Sequence, residues 1–316
     1  MSQLPAIAFQ VLQSVLVVLV APLVMGWVNI CRAWLQNRSA PSPWLPYYTL
    51  AKLFHKDAVI ADTTSPLFRI TPYVLFGCMW LAAGIVPMLA TDLPFAPAAD
   101  IIALVGVFAV ARVFGALAAM DTGTSFGGLG ARREMMIGFL AEPAMLMTLF
   151  TAAFISGSTQ LPTIVETLAH REFAIYPSLA FAGVAFLMVL LAENARIPVD
   201  NPATHLELTM IHEATILEYS ARHLALIEWA VAIKLVAYMG IGFALFLPWG
   251  IAPAQDWAAL PLALGALTAK LAIAGAGLAL IETLLAKMRL FLASEFLSTA
   301  FLLAVLGMLI HFVVHG

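Results

Sequence analysis

Long apolar stretches recur from one end of the chain to the other, separated by short polar segments. They fall at about residues 4–30, 70–90, 99–120, 134–156, 174–193, 223–247, 258–284 and 290–314. A run of 18 or more apolar residues is long enough to cross a bilayer as a helix. Backbone in lipid must satisfy its own hydrogen bonds, within helices or in a closed barrel. The runs are continuous and do not alternate, so the pattern predicts an all-α, polytopic membrane bundle of about eight transmembrane helices. A ninth pattern lies between the first two spans. In "WLPYYTLAKLFHKD" (44–57), Tyr47, Leu50, Leu53 and Phe54 share one helical face, with Thr49, Lys52 and Lys56 opposite. That is a short amphipathic helix for the membrane interface. No internal repeat is visible, and residues 1–316 read as a single membrane domain.

Composition agrees. Of 316 residues, 63% are hydrophobic and only 10% charged, against about 25% charged in soluble domains. Mean hydropathy is +0.98. A net charge of −3 gives no sign of a nucleic-acid partner. The first basic residue, Arg32, follows the first apolar run, so no cleavable signal is expected. Cys31 and Cys78 read as packed thiols.

The basic residues set an orientation. Arg32, Arg38, Lys52, Lys56, Arg69, Arg132, Arg133, Arg196, Arg222, Lys287 and Arg289 fall in alternate loops on one side, and only Arg171 on the other. By the positive-inside rule the basic loops are cytoplasmic and both termini are outside, in the periplasm.

Charges inside spans are costly and mark candidate sites. Arg112 and Glu142 lie at similar distances from the cytoplasmic ends of neighbouring spans and are expected to pair. Pro143 next to Glu142 frees a carbonyl one turn earlier. Glu228, Lys234, Lys270, Glu282 and Glu295 complete the set. The last three fit snorkelling or structural pairing as well as function.

The densest chemistry is "AENARIPVDNPATHLELTMIHEATILE" (192–218), with Glu193, Arg196, Asp200, His205, Glu207, His212, Glu213 and Glu218. Two prolines predict a distorted segment over 194–202. A helix is expected from about Ala203, with His205, Thr209, His212 and Glu213 on one face and Glu207 and Glu218 on the other. Interleaved leucines predict that it packs in protein, where carboxylates titrate nearer neutrality and histidines already do. A metal is disfavoured: "HEATI" lacks the second histidine of HExxH, and His205 and His212 lie two turns apart. "GTSFGGLG" (123–130) lacks the lysine of a phosphate loop. It reads as a tight cytoplasmic turn whose small residues permit close approach of a partner.

The loop resembles the signature of the subunit 1 family of respiratory complex I, A-E-x-x-R-x-P-x-D followed by an acidic stretch ending in E-Y-S. Glu193, Arg196, Pro198, Asp200, Glu207 and Glu218–Tyr219–Ser220 carry the match. "QNRSAP" (36–41), "KLFHKD" (52–57) and "SPLFRITP" (65–72) resemble further family segments, and Glu142 falls where the family keeps a membrane glutamate. Ala203 and His205 stand where complex I has further acids, and Thr49 where it has an aspartate. "NPATHLELTMIHE" and "DTGTSFGGLGARRE" instead resemble the membrane subunit of group 4 nickel–iron hydrogenases, of the formate hydrogenlyase and hydrogenase-4 type.

The resemblance implies a non-catalytic anchor in a bacterial inner membrane, part of an oxidoreductase complex. It implies partners: cytoplasmic hydrogenase large and small subunits, iron–sulfur subunits and antiporter-like membrane subunits. The nickel–iron centre and iron–sulfur clusters are expected in those partners, and no cofactor or metal in this chain. Glu142, Arg112, Glu228, Lys234 and the loop residues are expected to carry coupling. Arg69, Asp121, Arg132, Arg133 and Glu134 are expected to dock the partner. A quinone-binding complex I subunit and a free-standing ion transporter are the alternative readings.

Overall fold

The computed structural model describes residues 3–61, 63–91, 93–94, 98–170, 177–200, 210–252 and 258–315. Among them there are eleven helices and no strand. The spans are α1 (Gln3–Leu35), α3 (Pro66–Ile85), α4 (Ile101–Asp121), α5 (Ser125–Ser156), α7 (Pro177–Glu193), α9 (Ala221–Phe246), α10 (Leu260–Leu284) and α11 (Leu290–His315). Seven are long and apolar enough to cross a bilayer. The eighth, α7, has 17 residues, a reach of about 25 Å and the lower limit for a span. The expected amphipathic helix is α2 (Leu45–Phe54). Two short helices, α6 (Leu161–His170) and α8 (His212–Ile216), connect spans.

Local chemistry sets the ends. The Ser65 hydroxyl accepts from Leu67 N (3.2 Å) ahead of Pro66, and Asp100 Oδ1 accepts from Ile102 N (2.7 Å). Gly157, at φ 74°, closes α5 in the left-handed region. Gln13, fully buried in α1, ends α3. Its Oε1 accepts from Met88 N (3.2 Å) and Leu89 N (3.0 Å), and its Nε2 donates to the Val86 carbonyl (2.8 Å). Every polar atom of this amide is thus used where water is excluded.

The glycine-rich stretch departs from expectation. Only Gly123, at φ 69°, makes the turn. Residues from Ser125 onward are already α5, capped by Thr124 Oγ1 accepting from Gly127 N (3.2 Å). The close approach is internal: a Cβ on Gly130 would lie 2.8 Å from that of Ala214 in α8.

Helix α9 is the most enclosed span. It packs against α1, α2, α3, α6 and α7, while α11 packs on α5 and α7. Tyr238 of α9 is buried against Phe108 of α4 (ring centroids 4.8 Å apart). Indole donors staple α1 to its neighbours, from Trp229 to the Val18 carbonyl (2.8 Å) and from Trp27 to that of Ala272 (2.9 Å). Helix α2 faces inward with Leu50, sets Phe54 against Trp229, and donates the Tyr47 hydroxyl to the Leu19 carbonyl. Burial pushes the Tyr47 phenol up from its ordinary value.

Candidate functional site

Helix α4 has 21 residues, about 31 Å of rise, and Arg112 sits at its middle. Its guanidinium is held by two carboxylates on different helices, Glu142 of α5 and Glu193 at the end of α7. The Glu193 side chain is 2% exposed. Its other oxygen takes Lys234 Nζ of α9 at 3.0 Å, and the same ammonium donates to the Glu193 carbonyl (2.6 Å). Two cations and two carboxylates from four helices therefore form one neutral chain at mid-depth, buried except at Glu142, whose side chain is 33% exposed. Gly138 is the reason Arg112 can cross α5, since a Cβ there would lie 2.5 Å from Arg112 Cδ and Nη1.

Three residues on, a second group of ion pairs begins. Helix α7 ends with Ala195 at φ 50° and Arg196 N bonded back to the Leu191 carbonyl (2.8 Å), a left-handed C-terminal closure. That turn aims Arg196 toward α10, where Nη1 meets Glu282 Oε1 at 3.0 Å and Nη2 meets Met25 Sδ at 2.8 Å. Arg32 of α1 lies 3.6 Å from Glu282 Oε2. Farther along, Asp200 Oδ1 pairs with Lys287 (3.0 Å) and Oδ2 accepts from His212 N (3.2 Å). Met288 N donates to the Pro198 carbonyl (2.9 Å). The 194–200 segment is clamped to the basic-loop ends of α10 and α1 and to the start of α8.

With this geometry in view, the sequence model of the NADH dehydrogenase family matches residues 7–313. The chain belongs to this family, of the complex I subunit 1 type. It is 32% identical to formate hydrogenlyase subunit 4 of Escherichia coli over 285 residues, covering 90% of this chain and 92% of the relative. It is 34% identical to hydrogenase-4 component C of the same organism over 255 residues, covering 80% and 79%. A chain from the structure of the membrane-bound sulfane sulfur reductase, an archaeal respiratory membrane complex, superposes with a TM-score of 0.79 at 19% identity. That match covers 95% of this chain and 97% of the other. This member of the complex I subunit 1 family is an integral membrane protein and a membrane subunit of a complex I-like assembly.

Several family-signature residues turn out to hold the fold. The Tyr219 hydroxyl donates to the Phe68 carbonyl (3.1 Å), and its ring stacks on Phe68 at 4.0 Å. Burial pushes its phenol well up. Ser220 Oγ accepts from Val59 N (3.0 Å) and donates to the Val59 carbonyl (2.8 Å). Glu218 of the same triplet is exposed.

The other sequence-derived candidates divide. Arg112, Glu142, Glu193 and Lys234 meet, as do Arg196 with Glu282 and Asp200 with Lys287. His205, Glu207, Ala203 and Thr209 lie outside the described residues. The expected continuous helix from Ala203 to Glu218 is not formed: Met210 and Ile211 are not helical, and α8 spans only His212–Ile216. Tertiary bonds replace the helical ones there, because Arg133 Nη1 takes the Met210 carbonyl (2.7 Å) and Asp200 takes His212 N. His212 Nε2 is buried with no hydrogen-bond partner among the described residues. Glu213 stands in the first turn of α8. Glu228 is not in the chain. It lines a cavity of about 210 Å³ beneath α2, with Met25 and Asn29 of α1 and Thr49 of α2.

Of the docking candidates, Asp121 is engaged within the chain, accepting from Ser65 N (2.8 Å), as is Arg133. Arg69 and Arg132 are exposed, and Glu134 is partly so. Lys270 donates to the Leu247 (2.6 Å) and Trp249 carbonyls, closing the end of α9. Among the described residues no group of three or more His, Cys, Asp or Glu is placed to hold a metal ion. Sequence reasoning missed Arg32 and Lys287 as the ion-pair partners of Glu282 and Asp200. Their signal was position alone: each is a basic residue within five residues of a carboxylate-bearing or loop-facing helix end.

Proposed function

We propose that this chain anchors the cytoplasmic redox arm of a complex I-like respiratory hydrogenase and links it to ion movement in antiporter-like membrane subunits. The observation that carries this reading is three groups of ion pairs strung along the 193–200 backbone: Asp200 with Lys287 on the basic-loop side, Arg196 with Glu282, and Glu193 with Lys234, Arg112 and Glu142 at mid-bilayer. The basic end is the cytoplasmic face, with both termini outside.

The nickel–iron and iron–sulfur centres belong to the partner subunits and supply the redox chemistry. This chain's residues answer electrostatically. Exposed Arg69, Arg132 and Glu218 dock the partner. A charge change at the docked face acts on Asp200 and His212, and His205 and Glu207 answer it through their charge. The clamp on Arg196 passes the shift to Glu193, because the two lie three residues apart on one helix end. Arg112 and Lys234 then redistribute between Glu193 and Glu142. Charges this close in a low-dielectric setting are strongly coupled.

Similarity to formate hydrogenlyase subunit 4 and hydrogenase-4 component C supports the hydrogenase setting. The cavity beneath α2 supports a second reading, a site for a quinone. Purification from native membranes in mild detergent separates the readings. A nickel-containing subunit is expected to co-purify. A chain that purifies alone and moves ions in liposomes overturns the proposal. A quinone analogue that crosslinks at Tyr47 or Leu53 and blocks turnover selects the second reading.

A further inference from the structure

Helices α1 and α3 part from each other between two ties. One tie is at the end of α3 remote from the basic loops. There Gln10 Nε2 donates to the Gly84 carbonyl (2.7 Å), and Gln13 Nε2 reaches the same oxygen (3.3 Å). A Cβ on Gly84 would lie 3.2 Å from Ser14 Oγ. The other tie is near the middle of the spans. The Trp229 indole of α9 donates to the Val18 carbonyl and meets Phe76 edge-on, with ring centroids 5.5 Å apart. Between the ties runs a groove of about 300 Å³, walled by Val11, Ser14 and Val15 of α1 and by Gly77, Trp80 and Leu81 of α3. A second hollow of about 120 Å³ continues it past Val15 and Trp80 to Leu19 and Phe76.

Length, width and chemistry limit what fits. From Gly84 to Phe76 the two hollows follow α3 for about 12 Å of rise. One leaflet of a hydrocarbon core ~30 Å thick is about 15 Å deep, so the groove occupies one leaflet. A helix about 10 Å across sweeps roughly 900 Å³ over that length, more than twice what the hollows hold. An extended alkyl chain is narrow enough. The polar walls bond within the protein, because Ser14 Oγ donates to the Gln10 carbonyl (2.8 Å) and Gln10 donates to Gly84. The exposed walls, Val11, Val15, Trp80 and Leu81, offer only apolar contact apart from one indole N–H. Gly77 forms the floor, since a Cβ there would meet nothing within 4 Å. Such walls gain dispersion contacts only from something thin and apolar laid against them, and so apolar a hollow takes up no water.

We propose that the groove between α1 and α3 is a binding site for one acyl chain of a phospholipid, in the leaflet opposite the basic loops. The chain lies along Gly77 and Trp80 and supplies the carbon contacts that the two helices do not make across the groove. The site requires only that this chain spans a membrane, and goes beyond the role proposed for it in a hydrogenase complex.

The test reconstitutes the intact complex in vesicles of phosphatidylethanolamine and phosphatidylglycerol. A trace of the phosphatidylethanolamine carries a diazirine midway along one acyl chain. After illumination, adducts are expected to be several-fold denser around residues 10–19 and 76–84 than in any other membrane-spanning peptide of this chain. That includes α10, where Leu262 and Ile273 are 74% and 73% exposed. Gly77→Leu fills the floor and is expected to cut the groove adducts several-fold while leaving the rest unchanged. Labelling of the groove no denser than that of α10 overturns the proposal, and this comparison needs no variant. Groove labelling that persists in an assembled Gly77→Leu complex also overturns it. Adducts removed by an unlabelled polyprenyl quinone, and not by unlabelled phospholipid, would assign the groove to an isoprenoid tail instead. A p-benzoylphenylalanine placed at Trp80 that captures a membrane segment of another subunit would overturn it as well.

Discussion

Replacing Glu193 by Gln tests whether the buried chain is held by charge. The substitution keeps the shape and removes one unit of negative charge from a site 2% exposed. Arg112 keeps Glu142, and Lys234 keeps only the Glu193 main-chain carbonyl. At 3.0 Å the Lys234–Glu193 attraction is about 5–6 kcal/mol for an effective dielectric constant near 20. Removing one partner of such a pair costs roughly 3–5 kcal/mol, because a charge is left buried without compensation. With roughly 2–4 °C per kcal/mol for larger domains, the single variant should melt about 6–20 °C lower. Lys234→Met added to Glu193→Gln restores neutrality and should recover more than half of that loss. The assay is thermal unfolding of the purified complex in mild detergent, run as a double-mutant cycle. A single variant within about 1 kcal/mol of the parent, with no recovery in the double, refutes the reasoning.

Other consequences follow from the same geometry. Gly138→Ala drives a Cβ into the Arg112 side chain and should cost about 1–3 kcal/mol. Gly128→Ala, where nothing lies within 4 Å, should gain up to about 1 kcal/mol in a helix interior; the two melting curves check the contrast. Asp200→Asn keeps an acceptor for His212 N but loses the pair to Lys287, so limited proteolysis of the 193–222 segment should speed up. The Thr159 hydroxyl holds the Asp100 carboxyl below its ordinary value. Its stabilisation is present above the unfolded carboxylate range and lost as pH falls through the lower folded value. Asp100→Ala should therefore lower stability at pH 6, with the difference from the parent starting to shrink as pH falls below about 4, as followed by pH-dependent melting.

The spans were legible because lipid imposes one rule on backbone, and apolar length reports it directly. The Arg112–Glu142 pair was legible because both charges lie at matching depths in adjacent spans. The partners of Arg196 and Asp200 were not, since Glu282 and Lys287 are more than 80 residues away and nothing local encodes the contact. Periodicity over 203–218 suggested one helix, but Asp200 and Arg133 supply competing bonds from other elements. The start of α5 was hidden for the opposite reason. Glycines that weaken helix propensity serve there to let α8 pack closely at Gly130.

Under the proposed function, a charge change relayed along the 193–200 ion pairs reaches Glu142 and drives ion movement. Glu142→Gln leaves Arg112 paired with Glu193, so assembly and hydrogen turnover should persist. In the complex reconstituted into sealed vesicles, hydrogen turnover and ion movement can be recorded on the same sample. Turnover should continue while coupled ion movement is abolished; unchanged ion movement per hydrogen turned over would overturn the coupling role of Glu142.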